Sequence, residues 1–512
     1  MIKLDGIRLN ANESIDDLKN RACKKAGVNA NKIKYFCLVK KSLDARDRRD
    51  IHFVCSIEMD YNPPEIEKPI VKKYRYPLKP TVIVGFGPAG MFSALYLARQ
   101  GFNPIIIERG KTVDERKLSV QFFNANGTLD ENSNIQFGEG GAGAFSDGKL
   151  NTGVKSEYKR FILQELVAHG APAQILYDGK PHIGSDKLPT VIKNIREEII
   201  SLGGKFLFGT RLTAIKKTGD RITEITLKNS DGESQMEVEN LVLAIGHSAR
   251  DTYETLIKQG VNAEPKDMAI GVRIEHLQSD IDKAQYGATH QELGLPTADY
   301  KLTANAFGRG VFTFCMCPGG LVVASSSEKG GVVTNGMSNF ARNGENANSA
   351  VVVQVRKSDF GEDIFSGINF LRSLEKKAFT LGGGDYKAPY QLVGDFLQGK
   401  KSNGIGKVKP TYPLGVKSVK LSEVLPEFIT EPLKQGLLIM DKKLRGFADK
   451  NAVLTGIETR TSSPVRFIRD ELFVSPYAKN LYPIGETGHA GGIMSAGLDG
   501  LKASIILASR YE

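Results

Sequence analysis

Three glycines in the spacing Gly85-x-Gly87-x-x-Gly90 stand between an apolar run, Val82–Val84, and a stretch with helical periodicity, Met91–Arg99. This feature constrains the fold most, because the spacing belongs to a strand, a tight turn and a helix. Gly85 turns the chain, Gly87 lets backbone approach a diphosphate, and Gly90 lets the helix press on the strand. Pro88 and Ala89 complete the turn, and the first N–H groups of the helix supply a partial positive charge suited to an anion. The next apolar run, "PIII", ends at Glu108 and Arg109. An acidic side chain at that place, about 20 residues on, suits ribose hydroxyls. The segment predicts a Rossmann-type, dinucleotide-binding α/β unit.

The rest of the chain must be organised around that unit. At 512 residues it is long enough for about three domains, or two with insertions. Residues 1–75 read as a small basic α/β domain. Ile2–Leu9 alternates like a strand, Asn12–Ala26 has helical spacing, and Lys34–Val39 with Ile51–Ile57 predicts a hairpin with a charged tip. "YNPPEIEKP" (Tyr61–Pro69) reads as an extended linker, since proline disfavours helix. Residues 76–267 hold the fingerprint, a helix at Leu188–Leu202 and a three-stranded run over Lys205–Leu212, Arg221–Leu227 and Glu237–Ala244. Residues 268–440 are β-rich with long loops and one helix near Phe370–Thr380, and read as a substrate or cap domain. Residues 441–512 end in strand, glycine loop and helix, which returns the chain to the nucleotide domain. The fold class is therefore α/β: a Rossmann-type domain interrupted by a β-rich α+β domain, behind a small N-terminal unit.

Charge and cysteine usage exclude several classes. Net charge is +11, and residues 1–80 carry +7 of it. That excess is a solvated basic face or a docking surface for an acidic partner such as nucleic acid. The first of these is favoured, because no aromatic-rich RNA-binding motif accompanies the charge. The N-terminal residues lack a signal-peptide pattern, and no run of about 18 apolar residues predicts a membrane span. Five cysteines in so long a chain do not make a disulfide framework. A cytoplasmic protein is expected. Oligomeric state is not legible.

A second glycine-rich stretch, "QFGEGGAGAFSDGKLNTG" (Gln136–Gly153), offers Gly140 and Gly141 for close contact with a flat ring or a diphosphate. Gly148, Lys149 and Leu150 follow as further cofactor contacts. "TFCMCPGG" places Cys315 and Cys317 two apart. On a strand they would share a face. They are two small core residues, a thiol near a cofactor, or part of a metal site. The seven histidines show no paired spacing that would favour the last, and no metal is expected. "ETRTSSPVR" (Glu458–Arg466) offers Arg460 and Ser463 for a carboxylate or phosphate, or else forms a capped turn before Pro464. His489 stands in the last glycine loop as a candidate acid.

Two stretches resemble FAD proteins of the glutathione-reductase-like superfamily: "LVLAIGHSARD", where the chain re-enters the nucleotide domain, and "YPIGETGHAGGIMSAGLDG" near the C-terminus. With "FGEGGAGAFSDGKL", "FTFCMCPGGLVVASSSE" and "GIETRTSSPVRF", the chain resembles the uncharacterised FAD-dependent dehydrogenase family of bacterial and plastid flavoproteins along its whole length. The resemblance implies non-covalent FAD. It places Leu212, Ala244, Gly246, Gly485, Glu486, Gly492 and Ile493 at the cofactor, with Glu486 where many relatives carry Asp. It implies an oxidoreductase passing a hydride or electron pair through flavin to or from a small molecule. A nicotinamide nucleotide, NADH or NADPH, would be a co-substrate without a second Rossmann fold. Three alternatives stand beside it: an RNA-directed flavoenzyme docking through the basic N-terminal domain, a thiol–disulfide flavoenzyme using Cys315 and Cys317, and a non-catalytic FAD-binding sensor.

Overall fold

The computed structural model describes residues 1–62, 74, 76–287, 294–488 and 491–512. Most of the linker reading at 61–69, and His489, lie outside them.

The strand Thr81–Val84 is buried on both faces and forms the centre of a five-stranded sheet. Its order is Leu481–Pro483, Asn240–Leu243, Thr81–Val84, Ile105–Ile107, Lys205–Leu207, and every pairing is parallel. Helices cover parallel strands, so the sequence there is continuously apolar rather than alternating. Two of these helices come from opposite ends of the chain. Pro88–Arg99 packs on Ile493–Ser509 so closely that a Cβ on Gly500 would lie 2.0 Å from the Ala89 carbonyl oxygen. The hydroxyls of Ser93 and Ser504 meet at 2.7 Å across the same contact. The C-terminal segment is thus built into the nucleotide domain.

A seven-stranded sheet forms the interrupting domain, ordered Thr303–Ala306, Arg309–Cys317, Asn346–Val355, Met268–Leu277, Val453–Glu458, Ala388–Leu392, Val416–Ser418. Its strand Met268–Leu277 is buried almost throughout and still carries Arg273, Glu275 and His276. Arg273 is fully buried and pairs with Glu458 on the neighbouring strand through two bonds of 3.0 and 2.9 Å. Buried charges persist only when paired in this way. The sheet continues past residue 440, since Val453–Glu458 lies between two of its strands.

Two expectations are corrected. The run Lys205–Ala244 is divided between two sheets, not one meander. Its first and last strands join the parallel sheet, while Arg211–Thr218, Arg221–Asn229 and Gly232–Glu237 form a separate antiparallel sheet. The interrupting domain also holds more than one helix. Glu427–Lys443 is helical although Pro432 lies inside it, because its buried face packs on the sheet: a Cβ on Gly436 would meet Val311 at 2.6 Å. Tertiary packing overrides the local preference.

The N-terminal unit is a helix on a three-stranded antiparallel sheet, ordered Ile2–Leu9, His52–Asp60, Tyr35–Asp44. It docks by backbone: Lys41 N–H donates to Tyr177 at 2.7 Å, and Gly179 N–H donates back to Lys41 at 2.7 Å.

Candidate cofactor and substrate cavity

One cavity of about 820 Å³ opens at the carboxyl ends of the parallel strands and runs to the edge of the seven-stranded sheet. Its size falls within the range of roughly 300–1,000 Å³ typical of cofactor and ligand sites. Such crevices are where open α/β sheets bind ligands.

The fingerprint glycines build one wall. Gly85 has φ +100°, and a Cβ there would lie 2.4 Å from the Ala244 carbonyl oxygen. Gly90 does not face the cavity; its missing Cβ makes room for the Gly85 carbonyl oxygen, 1.9 Å from where it would stand. Gly87 ends the loop with no side-chain cap on the helix that Pro88 begins, and Gly87, Pro88 and Ala89 line the cavity. Gly141 backs onto Gly87: a Cβ on Gly141 would be 3.0 Å from the Gly87 Cα. Gly140 and Leu150 lie behind this wall, the first against Ile192 and the second in the core.

Glu108 does more than end its strand. Its Oε2 accepts from Phe86 N–H at 3.0 Å, and its Oε1 accepts from Gly110 and Gly138 N–H at 2.9 and 3.1 Å. It ties both glycine loops together and still lines the cavity with acceptor capacity for a ribose hydroxyl. Beside it Arg109 lies over the Phe137 ring at 4.3 Å and pairs with Asp251 at 2.8 Å, as Arg211 does at 2.7 Å.

The loop over Gly138–Gly143 is not slack. Arg116, which the sequence did not single out, is fully buried beneath it and donates to the carbonyls of Asn134, Ile135, Gly138, Glu139 and Gly141. Burial lowers its pKa to about 10, so the guanidinium remains charged at neutral pH and holds five carbonyls in one cradle. The next turn places Asp147 in a pair with Lys149 at 2.7 Å and also with Arg342. Burial opposes ionisation of Asp147, but Lys149 and Arg342 outweigh it and hold the carboxyl far below its usual range. Gly148 and Lys149 line the cavity.

The closing loop forms the opposite wall. Gly485 N–H donates to Asp499 at 2.7 Å, and Arg469 clamps that carboxylate with two bonds of 2.7 Å. Gly492, at φ +79°, leaves the helix Ile493–Ser509 without a side-chain cap, and Gly492, Ile493 and Ala496 face the cavity. Two uncapped helix N-termini, one on the fingerprint loop and one on the closing loop, therefore open into the same space. Each presents unsatisfied N–H groups and positive dipole ends. Glu486 also lines the cavity, and burial raises its pKa against the opposing charge of Lys266. Leu212, Ala244 and Gly246 complete the lining on the strand side. These features fit a cofactor with a diphosphate and a polar ring.

The interrupting domain supplies the remaining face, including Cys315 and Cys317. They are not two residues of a regular strand. The register slips between Phe314 and Cys317, and Cys315 has φ +44°. This is a β-bulge, which re-aims side chains. The Cys315 carbonyl is held by Arg273 at 2.9 Å and by the Cys317 thiol at 3.2 Å. Cys315 opens onto the cavity while lying deep in the protein, and burial pushes its thiol up to about 11 against Arg273 and Lys149. Alkylation of Cys315 by iodoacetamide is expected to be slow at pH 8 and to rise through pH 10–11, measured by peptide mass mapping. Cys315→Gly is expected to stabilise the fold by about 1 kcal/mol, because the left-handed conformation costs a Cβ-bearing residue about that much. Thermal unfolding measures it.

Arg460 reaches the cavity from the end of the strand Val453–Glu458. Its Nε and Nη2 each donate to Glu375 at 3.2 Å, and Glu375 also takes two bonds of 2.8 Å from Arg250. Burial disfavours the Glu375 carboxylate, yet Arg250 and Arg460 bring its pKa down to about 2. Ser463 does not face the cavity; its hydroxyl bonds to the Val465 backbone in the turn at Pro464. His247 does line the cavity, a residue sequence reasoning quoted only within a motif. Among the described residues no cluster of three or more His, Cys, Asp or Glu could hold a metal ion, and no helix is long and apolar enough to cross a membrane.

Residues 267–461 match the family model described as "FAD-dependent protein, C-terminal domain-like", and residues 1–60 match a domain of unknown function (DUF8436). The chain is 45% identical over 532 residues to an uncharacterised protein of Clostridium beijerinckii, covering 100% of this chain and 99% of that one. Among solved structures it is similar to a flavin-dependent brominase, Bmp2, at 11% identity, TM-score 0.40, with 85% of this chain and 80% of that one covered. It is also similar to an aklavinone-11 hydroxylase in complex with FAD and aklavinone, at 14% identity, TM-score 0.35, covering 84% and 62%. Likenesses that distant carry no argument. The near full-length relative does: the chain belongs to one family with the Clostridium beijerinckii protein.

Proposed function

We propose that the protein is a FAD-dependent oxidoreductase acting on a small molecule. The observation that carries this is the meeting of two uncapped helix N-termini and three glycine loops in one cavity bordered by a second sheet. Bound flavin would supply the two-electron chemistry. The chain's own residues divide the binding work. The N–H group of Ala89 and the loop at Gly141 would hold the diphosphate, with Arg116 keeping that loop in shape. Glu108 would take ribose hydroxyls. The closing loop at Gly485–Glu486 and the N-terminus at Ile493 would meet the polar edge of the ring, where positive dipole ends favour negative charge. The interrupting domain would cover the opposite side, with Phe314 and Cys315 of the seven-stranded sheet and Asn335 lining the cavity.

Support for the alternatives is weaker. A thiol–disulfide enzyme works through a thiolate, and burial holds Cys315 in the thiol form. The basic N-terminal unit pairs much of its charge internally: Arg8 with Asp50, Arg21 with Glu13, Arg46 with Asp44 and Arg49 with Asp47. This leaves less for phosphate contacts.

The purified protein is expected to be yellow, or to become so when FAD is supplied. Anaerobic addition of NADH or NADPH then separates the routes. Rapid bleaching by one nucleotide marks a nicotinamide-linked enzyme, and persistence of the bands marks reduction by another substrate. Failure to take up FAD at all would sink the proposal.

A further inference from the structure

One edge of the cavity carries free hydrogen-bond donors while its acceptors are spent. Behind it Arg273, fully buried, commits all five of its N–H groups. Nε and Nη2 donate to Glu458 at 3.0 and 2.9 Å. Nη2 donates again, to Asn335 Oδ1 at 2.8 Å. Nη1 donates to the Cys315 carbonyl at 2.9 Å and to Asn348 Oδ1 at 3.0 Å. Asn335 and Cys315 are thus held on the two terminal nitrogens of one guanidinium, and both line the cavity.

These bonds fix what each residue presents. Asn335 Oδ1 accepts from Arg273 and also from Gly336 N–H at 2.8 Å. Both partners can only donate, so the atom they share is the amide oxygen and Nδ2 is the other end. Asn348 is oriented by the same guanidinium, but its Nδ2 is sealed in the core without a partner among the described residues. Asn335 is only half-buried, and its Nδ2, which no described residue engages, keeps exposed surface. Cys315 is exposed as well. Its carbonyl already accepts twice, from Arg273 and from the Cys317 thiol at 3.2 Å. Burial pushes its own thiol up to about 11, so the sulfur keeps its hydrogen at neutral pH and is a donor.

Free donors beside spent acceptors select a ligand atom that accepts and does not donate. A hydroxyl would bring a hydrogen that neither Asn335 nor Cys315 can receive. An anion is disfavoured, because the nearby cations have carboxylates of their own. Arg273 has Glu458, and Lys149, which also lines the cavity, has Asp147 at 2.7 Å and the Met316 carbonyl. A carbonyl oxygen has two lone pairs, no hydrogen and no formal charge. Phe314 and Met316, on either side of Cys315, line the cavity and suit an apolar body. We infer that Asn335 and Cys315 form a subsite for the carbonyl group of an uncharged, largely apolar ketone, with Asn335 Nδ2 donating to its oxygen and the Cys315 thiol beside it. This rests on the oxidoreductase reading only for the ketone's standing as a substrate. Its binding chemistry stands on these residues.

Calorimetric titration of the purified protein, with FAD supplied, by acetophenone, 1-phenylethanol and benzoate tests it. Acetophenone is expected to bind tightest of the three. The stretch of its carbon-13-labelled carbonyl, read by isotope-edited infrared spectroscopy, should lie below its value in a hydrocarbon solvent. Bound acetophenone should also slow the alkylation of Cys315 by iodoacetamide. Asn335→Asp keeps the oxygen that Arg273 and Gly336 bind and replaces the free donor by an acceptor. It should weaken acetophenone roughly 10- to 100-fold, through a lost hydrogen bond and an unmatched acceptor, and return the stretch toward its hydrocarbon value. Cys315→Ala should weaken it by no more than about threefold, since a thiol is a weak donor. If Asn335→Asp does not fold, the order of the three ligands, the stretch and the protection of Cys315 in the wild-type protein still decide. Tighter binding of benzoate or 1-phenylethanol, a stretch at the hydrocarbon value, an unprotected Cys315, or equal binding in a folded Asn335→Asp would each overturn the inference. So would an Asn335→Asp protein that keeps acetophenone and loses only FAD affinity, since Asn335 would then serve the cofactor. Acetophenone binding of the expected kind to a protein that never takes up FAD would leave the subsite standing and remove the oxidoreductase reading. A yellow protein indifferent to acetophenone would do the reverse.

Discussion

Gly90→Ala is expected to abolish retention of FAD and to destabilise the fold by about 3 kcal/mol or more. The added Cβ would lie 1.9 Å from the Gly85 carbonyl oxygen, 3.1 Å from its carbon and 3.3 Å from the Ala244 side chain. None of these is the loose end of a flexible side chain. The first two belong to the turn that positions Gly87, and the third to the neighbouring strand end. Relief would require the helix Pro88–Arg99 to move off the strand. Its other side is already pressed against the C-terminal helix at Gly497 and Gly500, where a Cβ would meet Phe92 at 2.7 Å and Ala89 at 2.0 Å. The damage would therefore reach both uncapped N-termini at once. Gly153→Ala is the control, with nothing within 4 Å of its Cβ, and it should be neutral within about 0.5 kcal/mol. Flavin content after gel filtration and thermal unfolding measure both effects. A Gly90→Ala protein with normal stability and flavin would mean that this turn is not the close-packed unit described above.

Glu375→Gln is expected to cost about 3–5 kcal/mol, because removing one partner of a buried ion pair leaves the other charge uncompensated. Arg460 is the charge left here, since Arg250 keeps Glu328 at 2.7 Å while Glu375 is the carboxylate that pairs Arg460. Glu254→Gln, on the partly exposed rim of the same network, should cost no more than about 1 kcal/mol. The pH dependence follows from the direction of the shift. The folded protein holds Glu375 at about 2, below the ordinary 4.5, so it is ionised more readily folded than unfolded. Its contribution is complete above about pH 4.5 and is lost as pH falls from there toward 2. Wild-type stability should decline through that window, and the Glu375→Gln protein should decline less steeply. Parallel decline of the two proteins would remove this carboxylate from the acid response.

The nucleotide domain was legible in the sequence because its constraints are local. Gly85, Gly87 and Gly90 act within one turn, and Glu108 ends the very next strand. The closing loop was legible only by likeness to other chains, since nothing near Gly485 says that it will face Gly87. Arg116 was not legible at all. It looks like one charge on a surface helix, and its five carbonyl partners lie 18 to 25 residues further on, in a loop whose shape it sets. The same holds for the bulge at Cys315, which strand alternation does not predict and a buried arginine on another strand holds in place.

What the sequence determined by itself was the kind of molecule: an α/β fold, a glycine turn from strand to helix, and a β-rich insertion between two halves of one domain. Spacing, periodicity and glycine placement act over a few residues and survive without knowledge of the rest. Only the tertiary structure decided which polar side chains are spent and which are free. Arg460 and Ser463 look alike as candidates in one short segment, yet Ser463 closes a turn on Val465 while Arg460 lines the cavity with its guanidinium bound to Glu375. The difference is set by Glu375, which comes from a distant part of the chain. A hydrogen-bonding group is available for function only after every neighbour has taken its share, and those neighbours are chosen by packing.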